Sequence, residues 1–169
     1  MNEIEKQFKT AFKNFLKTEN KIEVQRSNGE KIFIIETVAD DVFNAINLKI
    51  IDCEWGMPEF KTYITYHLNQ NDYPEIDGYK PDFVMGTPAQ QFAIEIDGHE
   101  WHEKTKEQAA ADKRRERSLL LNNFIPVRFT GSEVYHGAIN CVKEVIQILA
   151  EFEYEKKFRE FQAAQEDEE

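Results

Sequence analysis

The run Ile94-Glu95-Ile96-Asp97-Gly98 constrains this chain more than any other stretch. Apolar and acidic residues alternate strictly there, the period of a strand with one face in a core. Ile94 and Ile96 then point inward, and Glu95 and Asp97 share the other face. Two carboxylates on one face repel each other. A divalent cation, with oxygen ligands at about 2.0–2.6 Å, offsets that repulsion. The flanking pattern predicts strands over 79–85 and 91–97, joined by a turn at Gly86-Thr87-Pro88 and paired antiparallel. Asp82, in the middle of the first, then brings a third carboxylate. A cation held there would polarise a phosphoryl oxygen and lower the pKa of a bound water. Gly98 permits a sharp exit from the strand, and His99 and His102 follow closely. Each histidine suits proton transfer, metal ligation or phosphate contact. Acids solvated at a strand end, and histidines in structural roles, are the alternative, and Trp101 reads as a packing residue.

Around this window the chain reads as alternating helices and strands. Ile4, Phe8, Ala11, Phe12, Phe15 and Leu16 recur at three- and four-residue spacing, which predicts an amphipathic helix over 3–17. Asn28-Gly29 between two apolar runs predicts a hairpin, because both residues tolerate positive φ. Residues 38–59 fit neither period cleanly, though Ile50-Ile51 suggests a short strand. Alternation returns from Phe60 to Leu68, and a polar loop spans 69–75. Three consecutive alanines and three leucines predict a helix over 104–121, stopped at Asn122-Asn123. A short strand follows at Ile125–Phe129. A second amphipathic helix starts near Ala138, carries its apolar stripe to Phe161 and frays from Gln165. With no internal repeat and no linker, the 169 residues read as one α/β domain, in which 21–55 look like an elaboration.

Charge sets limits on partners. The net charge is −11, which argues against avid nonspecific binding to nucleic acid. The charge is segregated, however. Residues 151–169 hold eight acids and three bases, whereas 104–117 hold six bases (Lys104, Lys106, Lys113, Arg114, Arg115, Arg117) and three acids. Such a basic helix is either a solvated face or a phosphate-binding one. Arg115 is spaced to grip a phosphate, or to pair with Asp112 or Glu116. Cys53 and Cys141 form no C-x-x-C pair, so a thiolate zinc site is not expected. The charged N-terminus and the lack of any 18-residue apolar run predict a chain that stays out of the membrane, in the cytoplasm.

The segments Tyr79-Lys80-Pro81-Asp82-Phe83, 94–102, 103–117 and 126–133 together resemble the PD-(D/E)XK nuclease superfamily. The resemblance is to its branch of DUF559-type and very-short-patch-repair-like (Vsr-like) endonucleases. It covers about half the chain, and Ile4-Glu5-Lys6-Gln7-Phe8 looks like that branch's first helix. The resemblance implies a restriction-endonuclease-like fold, a central mixed sheet flanked by helices. It also implies Mg²⁺-dependent (or Mn²⁺-dependent) hydrolysis of DNA phosphodiester bonds, and leaves RNA open as the alternative substrate. Asp82 and Glu95 would bind metal, and Glu5 would complete the shell. Gln70 matches a glutamine found before the Asp-Phe strand in some members. Asp97 stands where most of the superfamily has lysine, so water activation would rest on a second metal, His99, His102 or Lys104. Lys104, Lys106, Arg114, Arg115, Arg117 and Arg128 would contact DNA. The competing reading is a nuclease-fold binding protein without turnover. A hydrolase of small phosphorylated molecules lacks a Gly-rich phosphate loop here.

Overall fold

The fold is described from a computed structural model, which describes all residues except 26–28, 30, 52, 53, 99–104 and 169. The chain begins with α1 (Glu3–Thr18), capped by Asn2 and Glu5, which satisfy each other's backbone N–H groups. Four strands follow: β1 (Lys21–Gln25), β2 (Lys31–Asp40), β3 (Ala45–Ile51) and β4 (Phe60–His67). A single 3-10 turn at Gln70–Asp72 leads to β5 (Phe83–Thr87) and β6 (Gln90–Asp97). Helix α2 (Lys106–Leu121) connects β6 to β7 (Phe124–Thr130), and α3 (Gly131–Glu166) closes the chain.

Among the described residues the seven strands form one sheet in the order β1-β2-β3-β4-β5-β6-β7. Neighbours pair antiparallel except β6 and β7, which are parallel and joined by the α2 crossover. The architecture is therefore α/β with a mixed sheet. Phe92, Ile94 and Ile96 of β6 join the main core with Phe8, Phe12 and Phe15 of α1 and Val142, Val145, Ile146 and Leu149 of α3. On the other face Ala93 packs with Leu119 of α2 and with Ile76. Strand alternation thus separates a thick apolar layer under α1 and α3 from a thinner layer under α2. Glu95 and Asp97 fall on the α2 side.

Several boundaries differ from expectation. Strand β5 starts at Phe83, so Asp82 lies just before the strand rather than within it, and the turn is Pro88-Ala89, with β5 running through Thr87. Residues 38–59 resolve into the end of β2 and the whole of β3, closed by a turn at 41–44 in which Asn44 has φ 49°. The stretch that looks like an elaboration supplies Ile22, Val24, Phe33, Ile35, Ile46, Leu48 and Ile50 to the main core. Helix α3 starts at Gly131, seven residues before Ala138, because Thr130 and Glu133 form a capping box; Gly137 then kinks it. The helix holds through Glu166, one residue beyond the expected start of fraying. Strands β1 and β2 pair antiparallel as expected, but Ser27 and Asn28 of the expected turn lie outside the described residues. No helix among the described residues is long and apolar enough to cross a membrane.

Candidate active site

The parallel register sets the geometry of the site. Glu95 of β6 lies directly beside Arg128 of β7, and Asp97 beside Thr130. These are the carboxyl ends of the parallel pair, where an α/β sheet leaves room for ligands. Helix α2 passes over this end. Asp112, Arg115, Glu116 and Leu119 recur at three- and four-residue spacing and face the sheet, with Leu119 fully buried.

Glu95 is 4% exposed. Its Oε1 accepts from Arg115, and Arg128 Nε stands 3.8 Å from its Oε2. Burial pushes the Glu95 carboxyl above the ordinary range, while the two guanidiniums oppose that rise. Arg128 is a hub. It donates to Asp97 Oδ1 at 2.9 Å and Glu116 Oε1 at 2.8 Å, and approaches Asp112 Oδ2 at 3.6 Å. Burial by itself would lower the Arg128 pKa, but the hydrogen bonds to Asp97 and Glu116 outweigh it and raise it. Arg115 lies flat on Tyr79, its guanidinium carbon 3.8 Å from the ring centroid.

Asp82 approaches from the other side of β6. The β5–β6 ladder ends at Phe83↔Ile94, and beyond it Asp82 Oδ2 accepts the Ile96 N–H at 2.8 Å. The preceding carbonyl, Pro81 O, accepts from Tyr73 Oη and from Gln70 Nε2 at 3.3 Å. Two donors on that carbonyl fix the backbone from which Asp82 projects. Burial first, then the nearby Glu5 and Glu95, push the Asp82 carboxyl up to about 7, against the lowering effect of the Ile96 hydrogen bond. Glu5, on the first turn of α1, lines a cleft with Asp82, Asn69, Gln70, Asn71 and Met1. Phe8, one turn further along, anchors that helix by stacking on Phe83 at 5.1 Å between ring centroids.

The expected residues therefore come together in part. Asp82, Glu95, Asp97, Arg115 and Arg128 converge on one end of the sheet, with Glu5 beside Asp82. Lys106, Lys113, Arg114 and Arg117 are exposed on α2 and make no ion pair among the described residues. His99, His102, Trp101 and Lys104 lie outside the described residues. The partner of Arg115 is Glu95, not Asp112 or Glu116. Arg128, expected at DNA, is turned onto the carboxylates. Tyr73, Tyr79, Asp112 and Glu116 were missed as parts of the site. The three- and four-residue spacing of Asp112 and Glu116 to Arg115 and Leu119 was the available signal for the two acids.

Four carboxylates, Glu95, Asp97, Asp112 and Glu116, thus surround two guanidiniums, with Asp82 and Glu5 beside Glu95. Their oxygen donors have the right chemistry for Mg²⁺ or Mn²⁺. Among the described residues, however, no three such side chains stand together in a ready-made metal cage. Arg115 and Arg128 hold Glu95, and Arg128 holds Asp97. A cation at Asp82 and Glu95 would take the place of the Arg115 charge on Glu95. No family model, no curated protein and no solved structure matches this chain.

Proposed function

We propose that this chain is a divalent-metal-dependent nuclease acting on DNA phosphodiester bonds, on a restriction-endonuclease-like fold of the PD-(D/E)XK type. The observation that carries the reading is the placement of Asp82, just ahead of β5 and bonded to Ile96 N–H, near Glu95 of β6 and Glu5 of α1. In this reading Asp82 and Glu95 hold Mg²⁺ or Mn²⁺ and Glu5 completes the oxygen shell. Such a metal, when bound, would supply Lewis acidity toward the phosphoryl oxygen and lower the pKa of an attacking water. The chain's own residues orient these groups. Ile96 N–H fixes one Asp82 oxygen. Arg128 holds Asp97 and Glu116 and keeps the carboxylates from driving each other apart. Arg115, carried on the Tyr79 ring, would face the phosphate.

A second reading, a nucleic-acid-binding protein without turnover, is favoured by the arginine pairing of Glu95 and Asp97. Conversion of supercoiled plasmid to nicked circle separates the two. The nuclease reading expects nicking with Mg²⁺ or Mn²⁺ that stops with EDTA and is lost in Glu95→Gln and Asp82→Asn. DNA binding with no nicking under either metal would establish the second reading instead.

A further inference from the structure

We propose that the cleft between α2 and the 77–80 segment binds the sugar–phosphate backbone of a DNA strand, with Lys80, Arg114 and Arg115 as its phosphate ligands. This deepens the nucleic-acid reading above and rests on it. The cleft has a volume of about 360 Å³ and is lined by Asp77, Tyr79, Lys80, Arg114, Arg115 and Ser118. It holds three cations and one acid in a chain whose net charge is −11. The acid is already engaged: Asp77 Oδ2 accepts from Ser118 Oγ and from Asn122 Nδ2 at 2.8 Å. Lys80 and Arg114 make no ion pair among the described residues.

The walls are built. Asp77 at φ 48° and Gly78 at φ 86° make a tight left-handed turn, closed by an antiparallel bridge between Ile76 and Tyr79. That turn sets Tyr79 against Ile76, Ala93 and Leu119, and delivers Lys80 to the mouth of the cleft. Tyr79 in turn carries the Arg115 guanidinium on its ring. The Arg115 side chain is 36% exposed, so its guanidinium opens on the cleft while one nitrogen holds Glu95. Phosphate, with three or more acceptor lone pairs in a fixed geometry, suits such a planar fork held in advance by an aromatic face. Arg115 is also the residue that touches Glu95, so the cleft and the carboxylate cluster share one side chain. A strand lying in the cleft therefore runs directly up to the carboxylates.

The test is anisotropy of a labelled 20-nucleotide DNA, single-stranded and duplex, titrated with the full chain in EDTA over a salt series. Lys80→Ala with Arg114→Ala should weaken binding about tenfold at low salt. It should also lower the log–log salt slope by roughly 1.4–1.8, two phosphate contacts at about 0.7–0.9 each. Lys13→Ala with Lys17→Ala, an equal loss of charge on exposed positions of α1, should change affinity less than about threefold. Circular dichroism confirms that both variants fold. Equal losses in the two variants would overturn the proposal, as would wild-type protein that binds no DNA, or binding displaced as readily by polyglutamate as by DNA. Full affinity in the Lys80/Arg114 variant, beside normal metal-dependent nicking, sinks the cleft and leaves the nuclease reading standing. Selective loss of affinity in a protein that never nicks supports the cleft and removes turnover alone.

Discussion

Replacing Arg128 with Met tests whether the site is held together by one cation among four carboxylates. Met keeps the length of the side-chain stem and removes the charge. Breaking a buried ion pair from one side costs about 3–5 kcal/mol. The cost falls at or just below the lower end here. Glu95, the most buried partner with 5% of its side chain exposed, keeps Arg115, while Asp97, Asp112 and Glu116 are 25%, 28% and 42% exposed and reach water. The expected loss is about 2–3 kcal/mol at pH 8, a urea midpoint lower by roughly 1–1.5 M if the m-value is about 2 kcal/mol/M. The pH dependence carries the diagnosis. Burial already holds the Glu95 carboxyl above its ordinary value, and losing Arg128 raises it further. A carboxyl raised in the folded state binds protons on folding, so its penalty grows as pH rises from the unfolded value to the folded one and shrinks on acidification. The deficit of Arg128→Met should accordingly be about 1 kcal/mol smaller at pH 5.5 than at pH 8, since a tenfold change in proton affinity is worth about 1.4 kcal/mol. Adding Glu95→Gln should recover part of the loss, a measurable coupling. A deficit below about 0.5 kcal/mol, the size expected of a surface pair, or one that grows on acidification, would refute the reasoning.

Asp82→Asn keeps an acceptor for the Ile96 N–H and removes a charge whose pKa is pushed up to about 7 by burial and by Glu5 and Glu95. Between about pH 4 and 7 the wild type loses stability that the variant keeps. In EDTA the variant should therefore gain on the wild type as pH rises and lead by about 1–2 kcal/mol at pH 8.5, a modest lead because Glu5 shares the penalty. Equal pH profiles in denaturant melts would remove the argument. Gly86→Ala, in β5, should cost about 3 kcal/mol or more, since its Cβ would meet the backbone carbonyl oxygen of Gln90 and sit 2.8 Å from Gln91 Cα. A thermal melt within a few degrees of wild type would show that the β5–β6 hairpin yields more easily than its geometry implies.

The elements that matter most to the site were legible because their signals are local. The alternation at 94–97 and the stripe from Ile4 to Leu16 each state a period and a buried face without reference to the rest of the chain. The stretch 38–59 was not legible because Val42 and Phe43, 82% and 70% exposed, put apolar residues at a turn where polar ones are the usual marker. The start of α3 was written in Thr130 and Glu133, but Gly137 breaks the helical pattern seven residues on and hides it. The pairing of Arg115 with Glu95, twenty residues apart, belongs to the tertiary fold. Local spacing offered Asp112 and Glu116, and both are drawn instead to Arg128. The oxygen at Pro81 illustrates the same limit. Tyr73 and Gln70 reach it only because the 3-10 turn folds back under the chain, and no periodicity records that.

The strands lie side by side in the order in which they are synthesised, so each ladder joins neighbours in sequence. The helices do not follow this rule: α1, from the start of the chain, packs on α3, from its end. As a nascent chain leaves the ribosome, the early hairpins can pair at once and Phe8 and Phe12 can meet Phe83 and Tyr66, but the other side of α1 waits for Val142, Val145 and Leu149 to emerge. At about 5–20 residues per second, the 36 residues of α3 alone take roughly 2–7 s. Glu5 rides on that helix, so its place beside Asp82 is fully held only once α3 has packed on α1. The acidic cluster is thus secured late, and a chain cut short within α3 retains its ladders while the helix that carries Glu5 keeps only part of its packing.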